Sequence, residues 1–264
     1  MSKTQTYPSD LTDAQWALIR PLFPKPHKRG RRRLDYRRVL DAIFYLERTG
    51  CQWRQLPHDF PPWGTVASQF HRWRTAGAWE QVHHALHARA RQQAGKEPKP
   101  TAAVLDSQSV KTTEGGAERG YDAGKNVAGR KRHLLVDTLG LLIACVVHAA
   151  DVQDYDGCEA VLDKAQARFP RLKKIWADGR YACLQTPRCV RLLYGWVLEV
   201  VKRAAGTVGF AVLHRRWVVE RTFGWLVCFR WLSKDYERNP RVSETMIYAA
   251  MIHLMVRRLR PARL

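Results

Sequence analysis

The apolar positions of this chain follow two different periods. Up to about residue 95 they recur at helical spacing. Trp16, Ile19 and Leu22 share one side of a segment that Ser9 or Thr12 can cap and that Pro24 ends. Val39, Leu40, Ile43, Phe44 and Leu46 make a second helical stripe, opened by Asp35 and closed by Gly50. Trp53 and Leu56 predict a short helical turn before Pro57. Pro61-Pro62-Trp63-Gly64-Thr65 then opens a third helix, with Val66, Phe70 and Trp73 on one side, and a fourth runs from about Trp79 to Arg91. A helix, a tight turn and a second helix opened by a small polar residue are consistent with a helix-turn-helix. The tryptophans are assigned to the core rather than to base stacking, because this residue type is usually buried.

The polar segment 95–101, GKEPKPT, is broken by Pro98 and Pro100 and predicts a domain boundary, with a helical domain over 1–97 and a second domain over 98–264. Beyond it short apolar runs alternate with helical patterns. Strands are predicted at 101–106, 172–178 and 195–202, and a hairpin at 132–137 and 141–148 around Thr138-Leu139-Gly140. Helices are predicted at 155–168, 182–193, 215–232 and 241–258. Residues 107–132, with glycines at 115, 116, 120, 124 and 129, read as a long loop. The fold class is α/β: a mixed sheet flanked by helices, preceded by a small all-α domain that resembles a helix-turn-helix.

Charge adds a partner to this picture. Of 264 residues, 45 are Lys or Arg and 24 are Asp or Glu, a formal net charge of +21. The excess is spread over both halves, +10 up to residue 100 and +11 after it, so each half presents a basic surface to a polyanion, most simply nucleic acid. The densest run holds Arg29, Arg31, Arg32 and Arg33, and Arg72 and Arg74 flank the apolar side of the third helix; guanidinium groups pair with phosphate in fork geometry. Lys111, Lys125, Arg130, Lys131 and Arg132 lie in the glycine-bearing segment 107–132, which reads either as a solvated loop or as a strap over DNA. No apolar run approaches a membrane span, and the N-terminus lacks a signal-peptide core. Six scattered cysteines without a CxxC pair predict a reduced, cytoplasmic protein.

Three carboxylates stand out. Asp106 in AVLDS and Asp178 in IWADG each end an apolar strand, where open α/β sheets place reacting groups. Two such carboxylates on adjacent strands can share divalent ions, Mg²⁺ by preference, and two ions suit phosphoryl transfer. The competing reading is turn or helix capping. Glu220 in HRRWVVERTFGWL sits in an apolar helical run with Arg216 one turn before it and Gly224 one turn after, on one face. That face is either an ordinary solvated Arg–Glu pair or one that looks into a DNA-filled mouth, with Arg216 as a DNA ligand on a phosphate and Gly224 leaving room for it. Glu47, Glu159, Glu199 and Glu237 are weaker candidates. Asp137 reads as a turn residue, and Asp151, Asp154 and Asp156 as caps. His83 and His87, at i,i+4, lack further ligands at zinc spacing. Ser107 and Ser109 have no elbow motif or His partner, which leaves a serine-nucleophile recombinase little support.

The strings LDSQSVKTTEGGAERGYDAGKNVAGRKRHLLVDTLG, IWADGRY and RRWVVERTFGWLVCFRWLSKDYE, in this order over residues 101–258, resemble the DDE transposases of bacterial insertion sequences, in the group named for insertion sequence five. YPSDLTDAQWALIRPLFP, CQWRQLP and PPWGTV resemble the DNA-binding region of that group, so the resemblance covers nearly the whole chain. It implies an RNase H-like core and an Asp, Asp, Glu triad that falls on Asp106, Asp178 and Glu220, 72 and 42 residues apart. It further implies two Mg²⁺ ions, with Mn²⁺ as a substitute, cleavage at the element's terminal repeats, and strand transfer into target DNA. A homodimer or larger assembly on DNA and a bacterial, nucleoid-associated location follow from the same resemblance. Related transposases surround the Glu with a Tyr, Arg, Glu, Lys signature. Arg216 matches the Arg, but Leu213 and Val227 replace the Tyr and Lys, with Arg230 and Lys234 as candidate substitutes. The alternatives are an inactive or repurposed DNA-binding protein and a non-transposing nuclease of the same fold.

Overall fold

A computed structural model of the chain describes residues 7–24, 34–113, 117–181, 185–201 and 215–259. The basic-run candidates Arg29, Arg31, Arg32 and Arg33, and Leu213, lie outside the described residues. The chain divides into two compact units. One comprises Met1–Lys96, Cys228–Ser233 and Thr245–Leu264; the other comprises Glu97–Val227 and Lys234–Glu244.

The first unit is helical. Its helices are α1 (Asp13–Ile19), α2 (Tyr36–Thr49), α3 (Trp63–Thr75) and α4 (Ala78–Gln93), and the part of a late helix that begins at Thr245. The caps follow the sequence signals. Thr12 and Gln15 form a reciprocal capping box on α1. The Asp35 carboxylate accepts from the amides of Arg37 and Arg38 at the start of α2, and Gly50 ends that helix in the left-handed region, φ 73°. α2 and α3 are linked by residues 50–62, which include a 3-10 turn at Trp53–Gln55; the tight connection is Ala76–Gly77, between α3 and α4. Phe23, Phe70, Trp73 and Trp79 pack as a buried aromatic cluster, and the Trp79 indole donates to the Phe70 carbonyl. Trp73 and Trp79 are thus core residues, as expected.

The second unit holds a mixed sheet of six strands: β1 (Ala102–Lys111), β2 (Gly120–Asp122), β3 (Val127–Asp137), β4 (Leu142–Ala149), β5 (Lys174–Ala177) and β6 (Val197–Val200). β3 lies between β1 and β4, antiparallel to both, and the short β2 pairs with its first residues. On the other side of β1, β5 and β6 run parallel to it in turn. Helix α5 (Asp156–Gln166) covers one face, where Ala103, Leu105, Leu135, Ile143, Val161, Leu162 and Ile175 close the core. α6 (Gln185–Tyr194) adds Val190 to it, and α7 (Trp217–Val227) packs on β1 and β3. The last helix, α8 (Pro240–Arg258), begins in this unit and has its residues from Thr245 in the helical one.

The expected α/β class is the one observed, with one local correction. Residues 107–132 are not one long loop. β1 continues to Lys111 and β3 starts at Val127, because Ser107–Lys111 and Gly129–His133 pair in register and satisfy each other's backbone groups. Gly129 fits this ladder because a side chain there would strike the backbone at Val110 and Lys111.

Candidate active site

Three carboxylates from three elements face one cation within the α/β unit. Arg216, just before α7, places its Nη2 3.7 Å from Asp106 Oδ2, 3.7 Å from Asp178 Oδ2 and 3.7 Å from Glu220 Oε1. Any two of those oxygens therefore lie within twice that distance of each other. The parallel pairing of β1 and β5 accounts for the first two. Leu105 is aligned with Ala177, so Asp106 and Asp178 follow side by side on neighbouring segments. Helical spacing accounts for the third, because Arg216 and Glu220 are separated by one turn.

Backbone groups fix two of the three. The Ser107 amide donates to Asp106 Oδ1 at 2.7 Å, and the Arg180 amide to Asp178 Oδ1 at 2.8 Å, in the 3-10 turn Gly179–Tyr181. Arg215 has φ 78°, a left-handed conformation that costs a non-glycine residue about 1–3 kcal/mol. Its guanidinium lies 4.6 Å over the Trp176 ring, a stacking contact that offsets part of this cost and holds the turn from which Arg216 points inward.

The site is graded from interior to surface. The Asp106 side chain is 15% exposed and that of Glu220 48%. Burial pushes the Asp106 carboxyl up to about 6; the Asp178 carboxylate adds to this, while the Ser107 amide, Arg216 and Lys125 oppose it. Glu220 is thus on the exposed face of α7. Val218, Val219 and Phe223, its apolar neighbours in the run, are buried. Gly224 is also exposed, and a side chain there would meet nothing within 4 Å among the described residues.

The neighbouring positions of β1 face the opposite way. Ser107 Oγ donates to Asp154 Oδ1 at 2.6 Å and Ser109 Oγ to Asp122 Oδ2 at 2.5 Å. Lys131 Nζ stands 3.2 Å from Asp154 and 3.8 Å from Asp122, and donates to the Val152 carbonyl. Asp154 is therefore a partner of Ser107 and Lys131 rather than a helix cap. Asp137 is a turn residue as expected, its carboxylate accepting from the amides of Leu139 and Leu141.

Two Asp and one Glu make a donor set suited to a hard divalent cation. Among the described residues no three His, Cys, Asp or Glu side chains close around a single metal position. The three carboxylates fit such an ion by chemistry and by their common focus, and the cation at that focus is the Arg216 guanidinium.

The expected phosphate ligands divide in two. Lys111 and Arg72 are exposed, Arg74 and Lys125 are half-buried, and Lys125 Nζ donates to the Ser107 carbonyl, next to Asp106. Arg130, Lys131 and Arg132 are corrected: all three are buried. Arg130 pairs with Asp235 at 3.0 Å and donates to Ser243 and to the carbonyls of Glu237 and Arg238. Arg132 donates to the Lys234 carbonyl. Their head groups are buried inside the unit and turned to these internal acceptors. Val227 is exposed at the end of α7. Two residues at the site were not singled out from sequence, Arg180, which also reaches Asp154 at 3.5 Å, and Arg215; nor was Arg221, next to Glu220 in the chain, whose guanidinium lies over the rings of Trp217 and Trp225. The i,i+4 spacing of Trp217, Arg221 and Trp225 was the available signal for the last.

Comparison with known proteins matches residues 97–255, more than half of the chain, to the family model described as "Transposase DDE domain". Residues 11–83 match the model described as "Putative transposase of IS4/5 family". The chain is 31% identical over 117 residues to "Insertion element IS402 uncharacterized 16.2 kDa protein" of Burkholderia cepacia, covering 42% of this chain and 78% of that protein. It is 34% identical over 74 residues to "Uncharacterized protein y4sN" of Sinorhizobium fredii (strain NBRC 101917 / NGR234), covering 27% of this chain and 58% of that protein.

Proposed function

The chain belongs to the family of transposases with a DDE domain, and from that premise we propose that it cuts DNA at the terminal repeats of an insertion sequence and joins the freed 3′ ends to target DNA. The observation that carries this reading is the focus of Asp106, Asp178 and Glu220 on one cation position. These three residues would hold Mg²⁺, with Mn²⁺ as a substitute. Two such ions, when bound, activate an attacking oxygen and stabilise a leaving one in an in-line displacement. The chain's own part is to hold the ligands. The amides of Ser107 and Arg180 fix Asp106 and Asp178, and α7 delivers Glu220 from the solvent side. Lys111 on β1 and Lys125 beside it would take phosphate, and Arg72 and Arg74 on α3 would take the DNA flank. Ser107 and Ser109 donate hydrogen bonds to Asp154 and Asp122, on the side of β1 away from Asp106. Water, and then the 3′-hydroxyl it frees, are the nucleophiles. Two element ends must meet, so the working form is a homodimer or larger assembly on DNA. No described helix is long and apolar enough to cross a membrane.

The test is the full chain with duplexes carrying the element ends, with and without Mg²⁺, scored for cleavage and for joining. Asp106→Asn, Asp178→Asn and Glu220→Gln should each abolish both while end binding persists, because each removes a ligand charge at nearly constant shape. Tight binding without cleavage by the unaltered chain would favour a repurposed DNA-binding protein, and cleavage without joining a nuclease.

A further inference from the structure

The contacts of Arg216 are unusual for an arginine among carboxylates. Arginine normally meets a carboxylate through two short parallel N–H···O bonds. Here a single nitrogen stands 3.7 Å from three carboxylates, beyond hydrogen-bond length for each. Its buried Nε has no hydrogen-bond partner among the described residues. The head group is therefore held by the summed negative field of the triad rather than by directed bonds. The backbone beneath it is secured separately, through Arg215 on Trp176. Of the three carboxylates that Arg216 faces, Glu220 is the most exposed, at 48% of its side chain.

We propose that Arg216 and a divalent cation are alternative partners of the same three carboxylates, and that entry of the ion releases the Arg216 guanidinium to a DNA phosphate. The inference rests on the reading of Asp106, Asp178 and Glu220 as ion ligands. A divalent ion takes the charge that holds the guanidinium and repels it as well, so the two cations exclude each other. The freed guanidinium then meets the phosphate backbone at the mouth of the site, where the fork geometry denied to it among the carboxylates becomes available. Ion binding and DNA binding are thereby coupled through one side chain, each favouring the other.

The experiment is Mn²⁺ titration of the full chain, read by loss of the free-ion electron paramagnetic resonance signal, for the unaltered protein, Arg216→Gln and Arg216→Lys. Competition predicts that Arg216→Gln binds Mn²⁺ about tenfold more tightly, with Arg216→Lys close to the unaltered chain. A second reading needs no altered fold. In the unaltered protein with ¹⁵N-labelled arginine, Mg²⁺ should move the Arg216 Nε–H resonance, assigned by its loss in Arg216→Lys, and a labelled duplex of arbitrary sequence should move it further. With Ca²⁺ in place of Mg²⁺, affinity for that duplex should rise more in the unaltered chain than in Arg216→Gln. Equal or weaker Mn²⁺ binding by Arg216→Gln, or an Arg216 resonance indifferent to Mg²⁺ that binds, would overturn the proposal. Failure of all three proteins to bind Mn²⁺ would instead remove the ion-ligand reading on which it rests.

Discussion

Arg130 shows how little a residue's charge says about its surroundings. It is fully buried, and its guanidinium is satisfied by Asp235, Ser243 and several carbonyls. Removing one member of a buried ion pair leaves the other uncompensated, at about 3–5 kcal/mol. Arg130→Met should therefore lower stability by that order in a urea titration, while the DNA affinity of the protein that remains folded stays unchanged; a selective loss of DNA affinity would restore Arg130 as a phosphate ligand. Glu47 is the converse case. It is buried in the helical unit with neither oxygen hydrogen-bonded among the described residues, and burial holds its carboxyl well above the ordinary range. The folded state keeps this proton, whereas the unfolded chain gives it up once the pH passes the ordinary carboxylate value. Stability from this group is thus complete in acid and lost as pH rises. Glu47→Gln should be the more stable protein at about pH 7, and the difference should vanish near about pH 4. His253, stacked on Phe44 in the same unit, has the opposite sign. Burial, with Arg257 and Arg48 nearby, pushes it down to about 3, so its contribution is lost as pH falls below the ordinary imidazole value. The Glu47 comparison is for this reason made as a difference between two proteins at each pH.

At the scale of the element, α7 joins a buried stripe to a functional face. Val218, Val219, Thr222, Phe223 and Leu226 are buried, and the Thr222 hydroxyl donates to the Gly140 carbonyl in the β3–β4 turn. Gly140 has φ 78°, and a side chain there would press on Thr222, Arg221 and Trp225, so the turn and the helix are matched by shape. Gly224 has no such constraint among the described residues. Gly224→Ala should raise helix stability by about 1 kcal/mol, seen as a higher melting temperature. If DNA passes close to this face, the same substitution should lower the cleavage rate despite the gain. A more stable protein with full cleavage would show that the face beside Glu220 is merely solvated.

For the whole molecule, the order of residues along the chain and their grouping in space disagree. The helical unit takes back Cys228–Ser233 and Thr245–Leu264 after the α/β unit has been built. From Thr245 to His253 every residue of α8 is buried, with Met246, Ile247, Met251 and Ile252 fully so. Tyr248 packs against His83, and His253 against Phe44 and Phe229. A helix buried nearly all round is part of a core rather than a tail. A fragment of residues 1–97 should accordingly lack a cooperative melting transition and recognise element ends poorly, although sequence alone nominated it as a domain. A cooperative transition and full end recognition by that fragment would show that the returning helix is dispensable.

Where structure depends on neighbours in sequence, it was legible in advance. The capping box at Thr12, the Asp35 cap, the Gly50 stop and the β3–β4 turn at Asp137 follow from side chains within a few residues of the groups they satisfy. The apolar runs that end in Asp106 and Asp178, and the helical spacing of Arg216 and Glu220, are local in the same sense. What only the tertiary structure decided depends on pairs far apart in the chain. Segment 107–111 is a strand because 129–133 supplies its hydrogen bonds. Arg130 and Lys131 are buried because Asp235 and Asp154 compensate them, over separations that no periodicity records. The meeting of three carboxylates at Arg216 belongs to this class too: a carboxylate becomes part of a site only when folding brings other charges within a few ångströms, where their Coulomb interaction is strong enough to be felt.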